Sequence, residues 1–98
     1  MTSVSLTDGA YAGLKAMAEY HDVTVSRMLE NIGTGQWTLI HPEVKIKTRP
    51  YGFSKKLRCI YVSEAGLLGL RQLAAPVHLS TFLEMMGSSD QWYIIEDF

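Results

Sequence analysis

The sequence predicts an α+β fold in which one βαα unit is written twice within a single domain spanning residues 1–98. Three observations predict it. The chain aligns with itself over about a third of its length. The apolar period changes from two to about 3.6 at the same place in each copy. An extended, aromatic segment then follows the second helix of both copies.

The alignment comes first, because an internal repeat decides how every later segment is read. Val4-Ser5-Leu6-Thr7-Asp8 falls on Ile60-Tyr61-Val62-Ser63-Glu64, Gly13-Leu14 on Gly69-Leu70, and Ala18 on Ala74. After a two-residue gap, Val23, Ser26, Leu29-Glu30 and Gly33 fall on Val77, Ser80, Leu83-Glu84 and Gly87. One further inserted residue brings Gln36-Trp37 onto Gln91-Trp92 and Ile40 onto Ile95. Eleven of 35 aligned pairs are identical, where average usage gives roughly two. Repeat one covers 3–40 and repeat two covers 58–95.

Ser3 to Thr7 alternates polar and apolar, as a half-buried strand does. Its counterpart ends at Val62, so residues 3 to 7 are expected to pair with 58 to 62. From Asp8, the residues Ala10, Tyr11, Leu14, Met17 and Ala18 mark one face of a helix. Leu67, Leu70, Leu73 and Ala74 mark the matching face in the second copy. Thr7 and Ser63 are N-cap residues, and Asp8 and Glu64 suit the positive end of the helix dipole.

Val25, Met28, Leu29 and Ile32 give a second helix, and Leu79, Phe82, Leu83 and Met86 give its counterpart. Thr24 is a strong N-cap; His78 in the same place is a weaker one. Gly33 and Gly87 are expected as left-handed C-terminal caps, and Gly13 and Gly69, inside helices, as close-packing positions. Pro76 occupies the shorter inter-helix turn. Trp37 to Ile40 and Trp92 to Ile95 read as short additional strands. Residues 41–57 form a basic connecting arm, with Val44 to Arg49 alternating and Pro50-Tyr51-Gly52-Phe53 as a turn.

Net charge is −1, but it is unevenly placed. Lys45, Lys47, Arg49, Lys55, Lys56 and Arg58 are six of the nine basic residues, and Glu43 is the one acid among them. Such a run is most often a solvated surface; it also suits an anion-binding face. The single cysteine, Cys59, permits no internal disulfide, which fits a reduced compartment. No signal-peptide pattern or run of ~20 apolar residues is present. The expected location is the cytoplasm, without a membrane partner.

A short alternating strand, an amphipathic helix, a tight turn and a second helix resemble the Arc/MetJ/CopG-type ribbon-helix-helix family. Residues Val4 to Ala18 and Val23 to Leu29 carry the likeness, and 57 to 87 repeat it more loosely. The resemblance implies that strands from two units form an antiparallel ribbon; here the second unit lies in the same chain. It also implies that the ribbon enters the DNA major groove with outward side chains against base edges. The starts of the second helices would then hold phosphates. Carried over by position, Val4, Leu6, Ile60 and Val62 face the core, while Ser3, Ser5, Cys59 and Tyr61 face the groove. Thr24 and Ser26, with His78 and Ser80, come near phosphates.

The expected function is therefore that of a small DNA-binding protein, a transcriptional regulator using the ribbon and the basic arm. Its candidate DNA-binding residues are Ser3, Ser5, Thr24, Ser26, Lys45, Lys47, Arg49, Lys55, Lys56, Arg58 and Tyr61. The alternative is a protein-interaction module of the antitoxin, anti-repressor or phage-inhibitor type, meeting a protein partner through strand edges. It is suggested by the lack of outward Arg, Lys, Asn or Gln for bidentate base readout. Either protein would be a monomer or a homodimer, with the ribbon formed within one chain or swapped between two. An enzyme is not expected: His21, His41 and His78 lack metal-ligand spacing, and Cys59 has no neighbouring base. No cofactor is expected, since Gly33-Thr34-Gly35 is not followed by the Lys-Ser/Thr of a phosphate loop.

Overall fold

The computed structural model describes residues 2–40, 55–88 and 92–96. Its elements, in chain order, are β1 (Thr2–Thr7), α1 (Asp8–Tyr20), α2 (Val25–Gly33), β2 (Trp37–Ile40), β3 (Lys55–Ile60), α3 (Glu64–Ala74), α4 (Leu79–Ser88) and β4 (Tyr93–Glu96). Among the described residues this is a small α+β domain of four helices and two two-stranded antiparallel sheets.

Local chemistry sets the helix starts. The hydroxyl of Thr7 accepts from the Ala10 amide at 3.2 Å, that of Ser63 from Gly66 at 3.0 Å, and that of Thr24 from Arg27 at 3.1 Å. Each satisfies one of the otherwise free amides of a first turn. The turn between α1 and α2 places Asp22 at φ 58°, a left-handed conformation that Asp tolerates better than most residues. The corresponding turn in the second half is shorter and contains the cis peptide Ala75–Pro76. The two-residue gap in the sequence alignment falls at this difference.

The first sheet pairs β1 with β3, Thr2 opposite Ile60 through Thr7 opposite Lys55. The strand expected at 58–62 thus lies at 55–60. Tyr61 to Ser63 lead into the cap of α3, while Lys55 to Leu57 extend the pairing toward Thr7. Lys55 to Leu57, expected in the connecting arm, are thus part of β3. The second sheet pairs β2 with β4, Trp37 opposite Glu96 through Ile40 opposite Tyr93. In both sheets aligned residues meet across the strands: Ser3 opposite Cys59, and Leu39 opposite Ile94.

The helices pack crosswise. α1 lies mainly against α4, and α2 mainly against α3. Leu14, Met28, Leu29, Leu70, Leu83 and Met86 are fully buried in one cluster with Val4, Leu6 and Ile60 from the first sheet. Trp92 and Ile94 join that cluster, and Trp92 meets Phe82 edge-on with ring centroids 5.4 Å apart.

Gly33 and Gly87 are not left-handed caps. Both lie within helices, and the positive φ belongs to Gly35, at 83°. A Cβ on Gly33 would strike the backbone carbonyl of Gly66, and one on Gly87 that of Ala10. A Cβ on Gly13 would strike the backbone carbonyl of Gly87, and one on Gly69 would strike that of Gly33. The helix backbones touch at these points, as the glycines inside α1 and α3 suggested.

Candidate nucleic-acid interface

The outward face of the β1–β3 ribbon is built by strand alternation. Val4, Leu6 and Ile60 point into the core, so their neighbours point away. Ser3 and Cys59 are exposed and pair next to its Thr2–Ile60 end, with Ser3 Oγ and Cys59 Sγ 4.0 Å apart. Ser5 is half-buried and stands opposite Leu57, not opposite its aligned counterpart Tyr61. Leu57 is 73% exposed and Tyr61, just past the strand, 66%. Leu57 was not among the sequence candidates; its parity with Cys59 would have shown that it points outward.

Two sets of hydrogen bonds fix this ribbon to the second helices. The Glu84 carboxylate accepts from the Thr7 amide at 2.9 Å and the Thr7 hydroxyl at 2.7 Å. The Glu30 carboxylate accepts from the Ser63 amide at 2.6 Å and the Ser63 hydroxyl at 2.7 Å. These bonds, the Ser63 hydroxyl first and its amide second, hold the Glu30 carboxyl below the ordinary glutamate range. In the other set, Ser80 Oγ accepts from the Ser5 amide at 3.3 Å, and Ser26 Oγ from the Tyr61 amide at 2.9 Å. In every case the partners occupy aligned positions in the two copies.

The candidate phosphate contacts fall into separate groups. Thr24 is exposed and caps α2, while the half-buried Ser26 is engaged by Tyr61. A groove of about 660 Å³ runs from Tyr11 and Lys15 past Thr24 and Ser26 to Cys59 and Tyr61. Lys55 and Lys56 stand at one end of the ribbon, opposite Thr7 and Leu6. Arg58 shares the inward parity of Ile60, and its side chain is 22% exposed. It donates to Asp8 Oδ1 and lies 4.5 Å from the centre of the Tyr11 ring. Lys45, Lys47 and Arg49 lie outside the described residues.

The second sheet carries its own exposed apolar side chains, Tyr93 and Ile95. Among the described residues β2 and β4 pair only with each other. The His21 ring lies tilted against Trp37, centroids 5.2 Å apart, and its Nδ1 is 3.6 Å from a Glu96 carboxylate oxygen. Among the described residues no group of three His, Cys, Asp or Glu could hold a metal ion, and no helix is long and apolar enough to cross a membrane.

No family model, curated protein or solved structure matches the chain.

Proposed function

We propose that the chain is a tandem ribbon-helix-helix protein that binds duplex DNA by laying its β1–β3 ribbon in the major groove, as a transcriptional regulator does. The matched hydrogen bonds carry this reading. Glu30 and Glu84 each hold the strand-to-helix junction of the other copy, and Ser26 and Ser80 each hold its strand. The starts of α2 and α4 are thereby kept beside the ribbon, where phosphates flanking an occupied groove would lie. A two-stranded ribbon has the width the major groove admits.

Ser3, Ser5, Leu57, Cys59 and Tyr61 would face the bases. Hydroxyls bond to several base edges, and apolar groups meet thymine methyls, so discrimination would be modest and lean toward T-containing steps. Affinity would come mainly from phosphate contacts by Thr24, Lys55, Lys56 and the basic residues Lys45, Lys47 and Arg49. Fluorescence anisotropy with duplex DNA at two salt concentrations tests this. Binding that weakens steeply with salt and is lost in Ser3→Glu supports it; undetectable binding at low salt refutes it.

The large exposure of Leu57 and Tyr61, with Tyr93 and Ile95 on the second sheet, favours a second reading. On the same fold these side chains would dock a protein partner, in the manner of an antitoxin, anti-repressor or phage inhibitor. A pulldown that recovers a stoichiometric protein, lost in Leu57→Glu, supports it. Recovery of nucleic acid alone counts against it.

A further inference from the structure

One end of the ribbon differs chemically from the other. At the β1–α1 junction, Asp8 Oδ1 accepts from the Arg58 guanidinium and lies 3.7 Å from Lys56 Nζ. At the aligned junction stands Glu64, and the position aligned with Arg58 is Thr2. Among the described residues Glu64 has no cation within ion-pair distance. The Arg58 guanidinium is further held over the Tyr11 ring, and the residue aligned with Tyr11 is Leu67. Among the described residues, cation, acid and aromatic ring thus occur together at this end and not at the other.

We propose that Lys56 and Arg58 form a phosphate-binding site at this end of the ribbon, which the Asp8 carboxylate occupies in the free protein as an internal anion. Two cations converge on a single carboxylate oxygen, and this arrangement suits a phosphate oxygen equally well. The Asp8 side chain is 72% exposed and that of Lys56 65%, so an external anion reaches the cluster without opening the core. An exposed ion pair of this kind contributes little and is readily exchanged. The Arg58 Nε is buried, so the guanidinium meets an anion through the Nη2 that donates to Asp8. The ring of Tyr11 keeps the guanidinium plane in place while the acid is exchanged. Binding would displace Asp8, and the acid sets how strongly the site competes for DNA.

This site rests on the DNA-binding reading, and the test separates the two. Wild type, Asp8→Asn, Glu64→Gln and the double variant Asp8→Asn/Arg58→Gln are titrated with duplex DNA over a range of salt. Glu64→Gln removes the same charge from the same helical position, so it controls for net charge and the helix dipole. Asp8→Asn is expected to tighten binding about three- to tenfold beyond Glu64→Gln. It should also steepen the log–log salt dependence by about one to two, at about 0.9 per phosphate neutralised. The gain should vanish in the double variant. Wild-type binding with Asp8→Asn no tighter than Glu64→Gln overturns the site alone. No binding by any variant at low salt overturns both the site and the DNA-binding reading. Thermal melts confirm that each variant is folded.

Discussion

Glu30 and Glu84 occupy aligned positions and accept equivalent bonds, yet their surroundings differ. Glu84 is buried, while Glu30 is only partly so. Water can replace the bonds lost at the exposed Ser63 more readily than those at Thr7. Glu84→Ala should therefore cost about 3 kcal/mol and Glu30→Ala about 1 kcal/mol, measured by urea unfolding. Glu30 also predicts a pH dependence. Its folded pKa is lowered, so its contribution is complete above the unfolded value of about 4.3 and is lost as pH falls through the folded value. Melting midpoints from pH 6 to pH 3 should fall less in Glu30→Gln than in wild type. Both carboxylates stood out in the sequence only as identical aligned residues. Their bonds were not legible, because they join groups more than thirty positions apart.

Helices and their caps were the most legible elements, since Thr7, Thr24 and Ser63 act through amides three residues away. Strand register was less so. Alternation predicts which side chains share a face, but where β3 begins depends on which residues pair with β1. Lys56 and Leu57 illustrate the loss: the sequence places them in the connecting arm, whereas they pair with Leu6 and Ser5 as part of β3. The glycines show a similar mixture. The sequence marks Gly13 and Gly69 as close approaches, but marks Gly33 and Gly87, which supply the opposing backbone, as caps. Gly13→Ala and Gly69→Ala should each destabilise by about 2 kcal/mol or more, despite a gain of about 1 kcal/mol in helix propensity, because backbone must shift. Gly9→Ala meets nothing within 4 Å and should stabilise by up to about 1 kcal/mol. Chemical denaturation of the three variants decides between these opposite signs.

Across the whole molecule, β1 pairs with β3 of the same chain, a choice the sequence left open against strand exchange between chains. The melting midpoint should accordingly be unchanged over a hundredfold range of protein concentration; a rise with concentration would indicate exchanged strands. The crosswise packing of α1 on α4 and α2 on α3 also governs how the chain reaches this state. The main cover of α1 is made roughly sixty residues after it, an interval of about 3–12 s at ~5–20 residues per second of synthesis. Until α4 follows, Leu14 and the glycine face of α1 lack their partner, and β1 has no strand to pair with until β3 arrives. This crosswise arrangement therefore delays closure of the fold. A nascent first half exposes apolar surface that only the second half removes, so early termination should yield an aggregation-prone fragment instead of a stable half-molecule.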